Sequence, residues 1–130
     1  MIHVTAGIIT RNNKVLVAQR GSHQTRSFLW ELPGGKVHEN ETLKECLKRE
    51  LFEEFAIQAT IGDLFMDHHH VYPDLELTLS AFFVNSFKGE IKLLAHHNIA
   101  WIDFNEYTDY KFADADVPIM KKLTTISIGK

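Results

Sequence analysis

Three glutamates, Glu50, Glu53 and Glu54, stand at i, i+3 and i+4 in the run Arg49-Glu50-Leu51-Phe52-Glu53-Glu54, a short way after a Gly34-Gly35 pair. Seven glutamates and one arginine fall between Trp30 and Phe55. On a helix turning about 100° per residue, with Leu43 at zero, Cys46, Leu47 and Leu51 lie in an apolar arc from roughly -60° to +80°. Glu50 and Glu54 fall inside that arc, near roughly -20° and +20°, and Glu53 at its edge near roughly -80°. Amphipathic helices keep carboxylates on the opposite face, and taking an unpaired carboxylate out of water costs several kcal/mol. The cluster therefore calls for exposure at a sheet edge or for a compensating cation. Hard oxygen ligands at this spacing suit Mg²⁺, with Mn²⁺ as the alternative. The spacing alone leaves both readings open.

The elements that must position these residues follow from local signals. Thr42 with Glu45 three residues on forms a capping box, so the helix begins there and runs to about Phe55. Leu32-Pro33-Gly34-Gly35 forces an extended entry followed by a permissive turn. Residues 2–10 and 14–19 are β-branched and apolar, and Arg11-Asn12-Asn13 between them supplies hairpin chemistry. Residues 20–30 have no clear period and read as a loop. Strands are expected over 57–70 and 75–87, joined at Tyr72-Pro73-Asp74, with a turn at Lys88-Gly89-Glu90. A short strand over 97–103 and a helix from Val117 to Leu123 complete the pattern. Strands bracketing helices in this order predict an α/β fold, an α/β/α sandwich with a mixed β-sheet between helices.

Composition narrows the function classes. At 130 residues and 15.0 kDa, one domain spanning 1–130 is expected. Hydrophobic residues at 45% and charged residues at 24% argue against disorder. A net charge of -3 without a basic block disfavours nucleic-acid polymers and anionic membranes, leaving a small ligand. No apolar run approaches the roughly 18 residues of a membrane span, and MIHVTAGIIT carries neither basic leader nor cleavage site. One cysteine, Cys46, cannot form an internal disulfide, so a reducing cytoplasm is the expected location. No G-x4-G-K-[ST] or G-x-G-x-x-G is present, which excludes P-loop and Rossmann readings.

Gly35, five residues, Glu41, seven residues, then Arg49-Glu50-Leu51-Phe52-Glu53-Glu54 and Ile57 resembles the Nudix box, G-x5-E-x7-R-E-U-x-E-E-x-G-U. The one departure is Ala56, where the family has glycine at the helix exit, so that exit is a place where this chain could differ. The likeness extends to the MutT-like branch through an early hairpin ending in Arg20, Trp30-Glu31-Leu32-Pro33-Gly34-Gly35-Lys36, Tyr72-Pro73-Asp74, Trp101 and Ala115-Asp116-Val117-Pro118.

The resemblance implies a nucleoside triphosphate pyrophosphohydrolase. It would convert a triphosphate and water to NMP and pyrophosphate, and would clear oxidised nucleotides such as 8-oxo-dGTP, a task allied to DNA repair. It implies Mg²⁺ held by Glu50, Glu53, Glu54 and the Gly34 carbonyl. Glu50 serves as ligand or general base, and Arg49 orients a carboxylate. Arg20, Glu31, Leu32, Pro33, Gly34 and Asp116 are the implied substrate contacts. The substrate would be a nucleotide rather than a polymer, and the chain a monomer or homodimer. Two alternatives stand beside this: another nucleoside diphosphate derivative as substrate, such as a nucleotide sugar or dinucleotide polyphosphate, and a non-catalytic sensor. The complete set of box carboxylates favours catalysis.

Several residues carry two readings. Asp116, expected to be ionised and so to accept hydrogen bonds from a base edge, equally fits the cap of the helix it precedes. MutT-like enzymes carry a glutamate six residues before the tryptophan matching Trp101, where this chain has Ala95. Helix glutamates and water can complete the coordination, or His96 or His97 can take over; the first is favoured because a loop histidine has no fixed position. His68-His69-His70 reads as polar strand, with only His68 and His70 on one face. Cys46 reads as apolar filling, and Trp30 as either a base platform or a loop anchor.

Overall fold

The computed structural model describes residues 1–126. The strands are β1 (Ile2–Ile8), β2 (Thr10–Arg11), β3 (Lys14–Gln19), β4 (Trp30–Glu31), β5 (Gly34–Lys36), β6 (Gln58–Val71), β7 (Glu76–Lys88) and β8 (Asn98–Ile102). The helices are α1 (Leu43–Phe55) and α2 (Val117–Leu123), with a 3₁₀ turn at Phe104–Asp109. Among the described residues no helix is long and apolar enough to cross a membrane.

The mixed sheet has the order β5-β1-β7-β6: β1 runs parallel to β7, and the other neighbours are antiparallel. The remaining strands gather around β3, which pairs with β2, β4 and β8, all antiparallel. The α/β class with a mixed sheet and helices stands, and the strands divide into two sheets. Strand periodicity shows why both faces must be covered. Ala6 and Ile8 of β1, Val15 and Val17 of β3, and Leu79 and Ala81 of β7 pack with Ile119, Met120 and Leu123 of α2. Their alternates Ile9, Leu16, Ala18, Phe82 and Val84 pack with Leu47, Leu51 and Phe55 of α1.

Local signals are met where expected. Thr42 caps α1, accepting from Glu45 N–H while Glu45 answers to the Thr42 N–H. Asn12 and Asn13 take φ of 53° and 66° in the hairpin turn, the left-handed conformation that asparagine tolerates best after glycine. The helix exit, where a difference was expected, is conventional: Ala56 itself adopts φ 60° and ψ 32°, and its N–H caps the Phe52 carbonyl. An alanine Cβ there crowds the following carbonyl. Ala56→Gly is therefore expected to stabilise the fold by about 0.5–1 kcal/mol net of the looser unfolded chain, raising Tm by a few degrees in a thermal melt. An unchanged or lowered midpoint would show that the strain is relaxed elsewhere.

Candidate active site

The Gly34-Gly35 strand pairs with β1 and packs against α1, and glycine is required at Gly34. Gly34 has φ 152°, and a Cβ there would run into the Thr5 carbonyl; a Cβ on Gly35 would overlap the Glu50 carboxylate. The backbone of β5 thus lies directly against the acidic face of α1. The Glu54 carboxyl group lies beside the Gly34 backbone and the Glu50 carboxylate. Glu54 Oε1 is buried without a partner. Its pKa is raised well above the ordinary carboxylate value by burial first, then by the charges of Glu31 and Glu50.

Arg49 holds the outer side of this corner. Its Nε and Nη2 grip both oxygens of Glu41 at 2.6 and 3.0 Å, while Nη1 reaches Glu50 at 3.0 Å and Glu53 at 3.2 Å. Nη2 also donates to the Lys36 carbonyl at 3.0 Å. These charge-assisted bonds, with a further bond from His38 N–H, hold Glu41 down at about 2. Glu53 is half in solvent, at 55% side-chain exposure, with Arg49 as its partner.

A cavity of about 410 Å³ opens onto this corner. It is lined by Arg20, Glu31, Leu32, Gly34, Glu50, Glu54 and Asp116, together with an apolar wall that includes Tyr72, Leu75, Leu77 and Leu79. Seven of the sequence-selected residues therefore meet in one place. Arg49, Glu53 and Pro33 do not line it: Arg49 and Glu53 stand outside, and Pro33 is buried with its carbonyl accepting from Gly7 N–H at 2.7 Å.

Arg20 donates to Glu31 Oε1 at 2.9 Å and to the Thr25 carbonyl at 2.7 Å. Asp116 is 6% exposed, and its Oδ2 accepts from Leu32 N–H at 2.9 Å. Its side chain makes no capping bond to α2, so the cap is left to the backbone carbonyl, which accepts from Ile119 and Met120. The expectation of an ionised Asp116 changes too. Burial, reinforced by the Glu31 charge, pushes this carboxyl up to about 8, against the opposing pull of Leu32 N–H and Arg20.

Some contributors were not singled out from the sequence. Tyr72 accepts from Ala115 N–H at 2.9 Å, and Arg26 lies over its ring at 3.8 Å while pairing with Asp74. The Tyr72-Pro73-Asp74 turn was the available signal. Trp30 packs edge-on against Tyr110 at 5.0 Å and is absent from the cavity wall, which favours the anchoring role. Cys46 is buried beside Thr5. His68 and His70 meet at 3.2 Å on one face, as the strand period requires.

Among the described residues, no three His, Cys, Asp or Glu side chains form a ready coordination sphere. The corner nevertheless fits a cation: Glu54 keeps an orphaned buried carboxylate oxygen, the charges of Glu31 and Glu50 oppose its ionisation, and glycine backbone lies against the same corner.

Residues 1–123 match the NUDIX domain. The chain belongs to the Nudix family. It is a Nudix hydrolase, an enzyme acting on phosphoanhydride bonds, and enzymes of this family generally depend on divalent metal. A CTP pyrophosphohydrolase of Escherichia coli K12 is 36% identical over 130 residues, covering 100% of this chain and 96% of that protein. An 8-oxo-dGTP diphosphatase of Proteus vulgaris is 41% identical over 91 residues, 69% of this chain and 81% of that protein. The solution structure of the E. coli ORF135 protein superposes with a TM-score of 0.86 at 35% identity, covering 96% of this chain and 89% of that one. MutT from Methanosarcina mazei Go1 also gives 0.86, covering 95% and 93%, at 21% identity, a likeness of fold alone.

Proposed function

We propose that this Nudix chain is a nucleoside triphosphate pyrophosphohydrolase working as one domain over residues 1–130 in the cytoplasm, on free nucleotides rather than polymers, as monomer or homodimer. The observation that carries this reading is that the acidic corner of Glu50 and Glu54 and the wall bearing Leu32 and Asp116 face one cavity. A volume of about 410 Å³ lies at the small end for ligand sites, which favours a mononucleotide over a dinucleotide polyphosphate. The relatives named for CTP and 8-oxo-dGTP point the same way.

Glu54, Glu53 and the Gly34 carbonyl would hold the metal, Mg²⁺ with Mn²⁺ as alternative, Glu53 after release from Arg49. A divalent cation held there would supply charge stabilisation at the phosphates and make the attacking water more acidic. Glu50 takes the proton as general base while Arg49 keeps its second oxygen fixed. Arg20 and Glu31 flank the nucleotide, and Leu32 supplies apolar surface to the base. Water's oxygen forms the new P–O bond, the phosphoanhydride bond breaks, and NMP and pyrophosphate leave. The test is a panel of ordinary and oxidised nucleotides with Mg²⁺ or Mn²⁺, scored for NMP and pyrophosphate. Turnover of nucleotide sugars or dinucleotide polyphosphates in preference to triphosphates would overturn the assignment.

A carboxyl group with pKa about 8 carries a proton at neutral pH. Oδ2 already accepts from Leu32, so the free oxygen can donate to an acceptor on a base edge, and becomes a pure acceptor only in alkali. Base preference should thus shift towards donor-rich edges, such as guanine N1–H with its amino group, as pH passes about 8. Stability follows the same proton. Asp116 is raised in the folded state, so its contribution is present below the ordinary value of 3.8 and is lost as pH rises to about 8. In EDTA, unfolding stability of the parent should fall between pH 5 and 8, with a limiting slope of about 1.4 kcal/mol per pH unit from this one group. Asp116→Asn should flatten that profile; equal slopes in the two proteins would show that Asp116 is ionised throughout.

A further inference from the structure

We infer that His96 is a positioning residue for the nucleotide site: with Arg20, it fixes both oxygens of the Glu31 carboxylate against the cavity. His96 follows the position where the family's glutamate is replaced by the exposed Ala95, yet its own side chain is only 2% exposed. The expectation that a histidine here has no fixed position is corrected by the backbone around it. Lys92 and Leu94 donate to the Phe55 and Glu54 carbonyls at 2.9 and 3.1 Å, satisfying the open end of α1, and His97 donates to Gln19 at 2.8 Å. The segment is stitched to the glutamate helix on one side and to β3 on the other.

The ring is held as firmly as the backbone. It stacks flat on Phe55, with centroids 5.6 Å apart and planes 1° from parallel. Nε2 lies 3.0 Å from Glu31 Oε2, while Arg20 occupies Oε1 at 2.9 Å. Nδ1 is buried and has no partner. A carboxylate only accepts, which places a hydrogen on Nε2, donating to Glu31, while a hydrogen on Nδ1 would be a buried donor without a partner. His96 is thereby committed to Glu31 and is not a replacement metal ligand at the helix glutamates. His97 is exposed and packs edge-on against Phe28.

Glu31 needs this support because β4 is two residues long, too short for strand pairing alone to orient a side chain. Its charge contributes to the raised pKa of both Glu54 and Asp116, which places it within electrostatic reach of the acidic corner and the base wall. A Glu31 free to rotate would disturb the nucleotide along its length.

The inference rests on the hydrolytic reading for its kinetic arm and not for its spectroscopic and binding arms. His96→Leu should raise KM for the preferred triphosphate about tenfold, and weaken NMP binding similarly, with kcat little changed; His96→Gln, which can still donate to Glu31, should recover most of the loss. In a Glu31→Ala background, His96→Leu should add less than twofold. A merely structural histidine would lower Tm and the active fraction while leaving KM and NMP affinity unchanged, and would act equally in both backgrounds; either result overturns the proposal. In ¹⁵N-edited spectra of the full chain, the His96 ring should show hydrogen on Nε2 only, with that signal shifted or lost in Glu31→Ala. A ring protonated on Nδ1 overturns it independently of turnover. Absence of hydrolysis in the parent would fail the function and leave NMP binding and the spectra to decide His96.

Discussion

Glu54→Gln is expected to lower turnover by about two to three orders of magnitude, the equivalent of several kcal/mol of lost charge stabilisation at the phosphates, while leaving the fold intact. The structure adds a thermodynamic signature to this loss. Glu54 Oε1 is buried without a partner, and Glu31 and Glu50 oppose its ionisation. Without metal, a carboxyl raised in the folded state stabilises below its ordinary value of 4.5 and ceases to do so as pH rises. Cation binding must displace that proton, so metal affinity should increase with pH. Mg²⁺ should therefore raise the Tm of the parent by linkage, and more at pH 8 than at pH 6. In EDTA the glutamine variant, which has no proton to lose, should melt at or above the parent at pH 8 and respond weakly to added Mg²⁺. Undiminished turnover in EDTA, or a parent Tm indifferent to Mg²⁺, would sink this account of the acidic corner.

Much of the frame was legible because its causes are local. A capping box, an Asn-Asn turn and alternating apolar strands each act within a few residues, and the observed α1, β3, β8 and α2 lie close to where those signals put them. The strands β4 and β5 were not legible, being two and three residues long. Pairing with β3 and β1, far away in sequence, makes them strands. The same limit applies to the site. Spacing placed Glu50 and Glu54 on the inner face of α1, but could not show that Glu31 is held between Arg20 and His96, residues 11 and 65 positions away. Nor could it show that Asp116 turns from its own helix to a backbone N–H 84 residues earlier, since burial by distant segments determines both its partner and its proton. Ala56 is the reverse case: the sequence flagged a departure, and the chain adopts the left-handed exit in spite of it.

Arg49→Lys is the second change with a large expected effect, because the charge is kept and only the fork is lost. One guanidinium serves Glu41 with two nitrogens, Glu50 and Glu53 with a third, and the Lys36 carbonyl as well. A lysine ammonium has three donors on a flexible stem and no planar fork, so it cannot grip Glu41 at two points and still align Glu50. The Glu50 carboxylate, released on one oxygen, should swing away from the position in which, on the proposed mechanism, it would act as general base. Displacement of about 1 Å in such a group costs on the order of 100-fold in rate, and that is the loss expected in kcat, with KM less affected. A second readout separates misplacement from unfolding. Glu41 is held at about 2 chiefly by Arg49, a depressed folded-state pKa, so its stabilisation is present above the ordinary value of 4.5 and is lost as pH falls towards 2. In the lysine variant that pKa should return part of the way, and acid unfolding should begin at higher pH than in the parent. A variant that keeps the parent's kcat and acid profile would show that charge alone suffices, and that the fork between the Gly34-Gly35 strand and the helix is not what holds Glu50 in place.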